Sequence, residues 1–266
     1  CENAQQQPHN FHVEQLYVQC LSQMVANYTK EKPAGAKEEL DALLGKLLGL
    51  RGGLSLGNRT NVERAILTTR FKIIEFQLPR EPTPEQARAA CVDLNAIRLC
   101  FGSYARNALV GCPAGVNQDT GLHKTMELSA LLVDTRFFDL QLDLVEDADA
   151  CEEICRQFEN IYETRRALIG DHADARVLIQ SAKNCGKGYL KLLRMLPRGQ
   201  AARAARVKAK EDAVRFLARA RNGQLKYLGP GEYLEKIRDK LEIAENFDVG
   251  KDAGPPAAKK ARLSRE

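Results

Sequence analysis

The stretch CEEICRQFENIYETRRAL, residues 151–168, reads as a helix on its own. Cys151, Ile154, Cys155, Phe158, Ile161, Tyr162 and Leu168 recur three and four residues apart. At 3.6 residues per turn they share one side, and the intervening glutamates and arginines take the other. That period decides the fold class, because most of the chain repeats it.

Working outward toward the C-terminus, Leu178, Ala182, Cys185, Tyr189 and Leu193 predict a second helix, weakened by Gly186 and Gly188. Tyr233, Leu234, Ile237, Leu241 and Ala244 predict the last one. Upstream, Val13, Leu16, Tyr17, Cys20, Met24 and Tyr28 form an apolar stripe that ends before Pro33. Leu40, Leu43, Leu44, Leu47 and Leu48 follow, closed by glycines at 49, 52 and 53. Thr60-Asn61-Val62-Glu63 and Thr83-Pro84-Glu85-Gln86 both have the spacing of a capping box, so Thr60 and Thr83 are expected as helix N-caps.

One segment departs from the helical period. Phe138, Leu140, Leu142 and Leu144 alternate with Asp139, Gln141 and Asp143, which is the period of a strand. Residues 74–78 can alternate as well. The abundance of Leu and Ala over Val and Ile argues against a large sheet. The expected fold is mainly α: a multi-helix globular protein of about eight to ten helices with at most one small β-ribbon. Its expected organisation is an N-terminal helical subdomain over 1–80, a helical body over 81–250, and a flexible tail over 251–266.

At 266 residues the chain is long enough to bury a sizeable core. No apolar run approaches the roughly 18–20 residues that a membrane-spanning helix needs, so no membrane partner is expected. The eight cysteines fall mostly on apolar helical faces. They are therefore expected as reduced, packed thiols, with Cys20, Cys91, Cys151 and Cys155 buried and unbridged.

Charge is the most uneven property of the chain. Between Lys187 and Lys226 stand twelve basic residues and only two acids, Glu211 and Asp212, a local charge of +10 in a chain of +5. The bases are Lys187, Lys191, Arg194, Arg198, Arg203, Arg206, Lys208, Lys210, Arg215, Arg219, Arg221 and Lys226. With residues 200–222 drawn as one helix, Arg203, Arg206, Lys210 and Arg221 fall in a sector of about 60°. Lys208, Arg215 and Arg219 fall within about 40° of one another. A solvated helix ordinarily mixes acids into such rows for pairing a turn away, and here they are nearly absent. Concentrated positive charge repels itself unless a polyanion meets it.

Other chemistries find weaker support. Cys151, Cys155, His172 and Cys185 carry zinc-type donors, but their C-x3-C-x16-H-x12-C spacing matches no common finger, and the thiols continue an apolar stripe. Gly186-Lys187 lacks the first glycine and the hydroxyl of a phosphate-cradling loop. The pair of acids around His172 reads as a polar turn. Glu146, Asp147, Asp149, Glu152 and Glu153 stand at a helix start, where carboxylates complement the dipole. No metal, cofactor or catalytic constellation is expected.

The reading is a nucleic-acid-binding protein, for RNA or DNA, that contacts phosphates without strong sequence specificity, a structural nucleoprotein being one version of it. The alternative is a helical adaptor whose basic helix docks on an acidic protein surface. In the tail, Gly254-Pro255-Pro256 precedes Lys259, Lys260 and Arg262. This arrangement resembles the short basic import signal read by importin-α, which implies an importin-α-like receptor as partner and the nucleus as destination. Self-association into a homo-oligomer is compatible with both readings.

Overall fold

Residue Thr83 opens its helix as the spacing predicts. Its amide donates to Gln86 Oε1 at 2.9 Å, and the Gln86 amide donates to Thr83 Oγ1 at 3.3 Å. Pro84 holds the first helical position, where its missing N–H leaves nothing unsatisfied. Comparable local rules shape the rest of the chain. The computed structural model describes residues 11–31, 35–50, 56–110, 120–170 and 175–249.

Among the described residues nine α-helices and no strand are present: α1 (Phe11–Glu31), α2 (Ala36–Leu50), α3 (Leu56–Gln77), α4 (Pro84–Val110), α5 (Thr120–Leu144), α6 (Ala148–Ile169), α7 (Ala175–Met195), α8 (Arg203–Tyr227) and α9 (Glu232–Glu245). A short 3-10 turn, Gln200–Ala202, leads into α8. The protein is thus a mainly α, multi-helix fold. The chain divides into two compact units, residues 1–144 and 145–266. The boundary expected after residue 80 falls within the first unit, where Arg136 of α5 pairs with Glu75 of α3 at 2.6 Å.

The first unit is built around α3, which packs on α1, α2, α4 and α5. Val18, Leu21 and Val25 of α1 meet Leu40, Leu43 and Leu47 of α2 and Val62, Ala65 and Ile66 of α3 in one core. Burying each such Leu or Val contributes about 1.5–3 kcal/mol. The α1 stripe expected from the sequence is not the buried one: Leu16, Tyr17, Cys20 and Met24 are exposed. The helix offers two apolar rows, and the row that meets α2 and α3 has no thiol or phenol to desolvate.

The expected ribbon is replaced by helix. Residues 138–144 belong to α5, and residues 74–77 to α3. Successive even positions of a helix differ by 200°, so a period-two pattern places apolar side chains on two opposite sides. In α5 both sides are buried. Leu131, Phe138 and Leu142 form one row, and Val133, Phe137 and Leu140 the other. Arg98 of α4 bonds Asp134 at 2.5 Å and lies over the rings of Phe137 and Phe138, closing α4 onto α5. Thr60 is likewise helical rather than capping, since α3 starts at Leu56. A Thr-x-x-Glu spacing is also that of one helical turn, so it does not by itself mark a start.

The second unit positions the basic residues. Asp147 caps α6 by accepting from the Ala150 amide at 2.8 Å. The helix ends at Gly170, whose φ of 73° lets its amide turn back to Arg166 O. Cys151, Ile154, Cys155, Phe158 and Ile161 are buried along α6, the face that the sequence predicts. Helix α7 packs on α6, α8 and α9. It approaches α8 where Gly186 lies against Leu217 and Ala213, and α6 where Gly188 lies against Cys155. Ala209, Ala213 and Ala220 thin the buried side of α8 so that this approach is close. Gly229, at φ 76°, turns the chain after α8, and Leu234, Ile237, Leu241 and Ala244 seat α9.

Candidate nucleic-acid interface

The structure divides the basic segment into three groups with different surroundings. On α8, Lys208, Arg215 and Arg219 are exposed and lie in one row, and Lys226 extends it. Arg215 is partly committed inside the unit: it reaches Glu159 of α6 at 3.0 Å and Asp212 at 2.7 Å. Its guanidinium also stands 4.5 Å from the centre of the Phe216 ring. Arg219 lies 5.5 Å from the same ring and 5.9 Å from that of Tyr162. Beneath them, Tyr162 meets Phe216 edge-on and Tyr189 stacks on it, so these aromatics serve packing. Burial, with Glu159 nearby, pushes the Tyr189 phenol well above its ordinary range. Tyr227 is exposed, with Lys226 Nζ 4.7 Å from its ring.

The second group faces α9. Arg206, expected as a phosphate contact, is buried at 5% exposure with its guanidinium over the ring of Phe247. Lys210 donates to the Phe247 carbonyl at 2.9 Å. These two bases fasten the end of the unit onto α8. Their hydrocarbon stems fill space that the sequence assigned to solvent. Arg221 is half-buried and bonds Asn222, while Arg203 is exposed. Arg198, in the turn before α8, is exposed.

The third group is on α7. Lys187 and Lys191 are half-buried and Arg194 is exposed. Arg176 and Lys183, which lie before the segment singled out by charge, continue the same row at intervals of seven and four residues. At 1.5 Å per residue, the row from Arg176 to Arg194 is about 27 Å long. The remaining circumference of α7 is largely buried, and the helix contains no acid at all. Lys183 Nζ stands 4.5 Å from the ring centre of Tyr233, whose hydroxyl donates to Gln180 in the same row. The signal for Arg176 and Lys183 was available in the helical spacing upstream of Lys187, but a window drawn on charge density alone omitted them.

The zinc-type donors are packed as thiols. Cys151, Cys155 and Cys185 are all buried and unbridged, and Cys151 Sγ is 4.0 Å from the Gly188 carbonyl. Cys151 and Cys155 share a hydrogen bond, which lowers the Cys151 thiol pKa and, together with burial, raises that of Cys155. Burial, followed by the charge of Glu159, raises Cys185. His172 lies outside the described residues. Among those described, no group of three or more His, Cys, Asp or Glu side chains is arranged to hold a metal ion.

Cys91 is also buried and free, whereas Cys20 is free but exposed, contrary to its expected burial. The import-like residues Lys259, Lys260 and Arg262 lie outside the described residues. Among the described helices, none is long and apolar enough to cross a membrane. No protein-family model matches the chain, and neither a curated protein nor a solved structure matches it.

Proposed function

We propose that the protein binds nucleic acid through its phosphates, with the α7 row of Arg176, Lys183, Lys187, Lys191 and Arg194 as the principal contact. The α8 row of Lys208, Arg215, Arg219 and Lys226 acts as a second contact. One observation carries this reading: α7 places five bases and no acid along its one strip that is not buried. Guanidinium and ammonium groups along one helix suit phosphate oxygens, and the release of condensed counterions supplies affinity that does not depend on sequence. Tyr227 is the exposed stacking ring beside these rows, so base contacts contribute little. Its role is binding rather than catalysis, and the tail directs it to the nucleus.

Fluorescence anisotropy with unrelated RNA and DNA oligonucleotides over a range of salt concentrations tests the reading. Five phosphate contacts give a log–log slope of about 3.5–4.5 in magnitude. Reversing Arg176, Lys187 and Arg194 to Glu should reduce that slope and weaken all sequences alike, while a melting curve confirms an intact fold. A salt-independent affinity, or normal binding by the triple variant, refutes it. Replacing Lys259, Lys260 and Arg262 with alanine should move a tagged full chain toward the cytoplasm. Unchanged nuclear accumulation removes the import role.

A second reading has its own support in Arg215 and Glu159. Here a base of α8 is already used to hold an acidic helix. A helical adaptor would use Lys208 and Arg219 in the same way against an acidic partner protein, and binding that requires a folded acidic protein rather than an oligonucleotide separates the two.

A further inference from the structure

We propose that the first unit associates with a second copy of itself through α4, the two α4 helices running parallel. The buried side of α4 comprises Ala87, Ala90, Cys91, Leu94, Ile97 and Phe101. On the opposite side Ala89, Val92, Ala96 and Leu99 follow one another at intervals of three, four and three, and all are exposed. Val92 and Leu99 keep 71% and 65% of their surface, far more than a side-facing apolar residue retains in a core. A repeat of this spacing is the seam by which two helices wind around each other, and alternating small and branched residues let the backbones come close.

Charge selects a second copy as the occupant and sets its direction. In a parallel pair with this seam, the residue just before Ala89 faces the residue five positions later on the partner. Those residues are Arg88 and Asp93, so the two-fold axis creates the Arg88–Asp93′ pair twice. Arg88 is exposed and has only a long, 3.8 Å contact to Glu85 within its own helix. Asp93 stands on the rim of a groove of about 350 Å³ between α4 and α2–α3, where Asp41 adds a second acid and Arg70 one base. An incoming guanidinium therefore meets net negative charge. Ala96 belongs to both the groove and the seam, so the groove borders the contact on the side where Arg88′ arrives.

Four seam layers bury less than the roughly 800 Å² per partner of a standard interface, so the dimer is concentration-dependent. Sedimentation velocity of the full chain from about 1 to 200 μM should show monomer converting to dimer. Leu99→Lys should weaken the dimer at least tenfold without changing the far-ultraviolet dichroism, because Leu99 is exposed in the monomer. R88D and D93R should each weaken it several-fold, and the double variant R88D/D93R should restore it. A wild-type chain that stays monomeric throughout, a dimer indifferent to L99K, or a double variant weaker than both singles overturns the proposal.

Discussion

Arg206 and Phe247 are joined by a contact between the guanidinium and the aromatic ring, 5.7 Å apart, that holds the segment after α9 against α8. This is where the structure departs most from the charge pattern, for a residue expected in solvent is buried. Arg206→Ala should therefore destabilise the second unit by about 1–3 kcal/mol through lost packing. Arg203→Ala, one turn away and exposed, should stay within about 0.5 kcal/mol of the parent. Urea unfolding of the two variants checks the contrast, and equal effects would contradict it.

Gly186 makes an opposite claim to helix propensity. Alanine in a helix interior is favoured over glycine by about 1 kcal/mol. Yet a Cβ at this position would stand 2.5 Å from Leu217 Cγ and 3.3 Å from the Ala213 carbonyl, neither of which is the end of a flexible chain. Overpacking of this kind costs about 1–3 kcal/mol, so Gly186→Ala should destabilise on balance. A double-mutant cycle with Leu217→Ala should show a favourable coupling, because the shortened side chain vacates the clash.

Tyr233 links stability to alkaline pH. Burial pushes its phenol up to about 12. A group bound more tightly to its proton in the folded state contributes stability that is complete below the unfolded value near 10 and is lost as pH rises toward 12. Thermal unfolding should accordingly shift down between these pH values. Tyr233→Phe should flatten that shift, and at neutral pH should lose about 1 kcal/mol with the hydrogen bond to Gln180.

Arg215 and Glu159 test how much the surface pair contributes. Both side chains retain substantial exposure, 47% and 32%. Arg215→Gln should cost less than about 1 kcal/mol at low salt, and less still at 1 M salt. A salt-insensitive loss of several kcal/mol would mean that stacking on Phe216, not charge, dominates.

Much of the fold was legible in the sequence because helical spacing is a local property. The residues read along 151–161 are the ones α6 buries, and Thr83 caps α4 as its box spacing requires. The misreadings arose where a helix is apolar on two sides. In α5, partners on both sides produce a strand-like alternation. In α1, the choice between two apolar rows depends on α2 and α3, which no local pattern reveals. The candidate site was legible in its charge but not in its division. Nothing near Arg206 in sequence points to Phe247, 41 positions away, as the ring that removes it from solvent.

Helix α7 leaves selection little room. Its buried side includes Gly186 and Gly188, where a Cβ would come within 2.5 Å of Leu217 and 3.0 Å of Cys155, so neighbouring helices leave no room there for a larger side chain. On the strip through Arg176, Gln180, Lys183, Lys187, Lys191 and Arg194, the exposed Arg176 and Arg194 can change composition without disturbing the core, whereas Gln180 and Lys183 also hold Tyr233. At those two arginines the requirements of folding and of any outside ligand can be varied separately. A lineage that lost its ligand would be expected to let acids drift into this strip first, long before the glycines opposite could change.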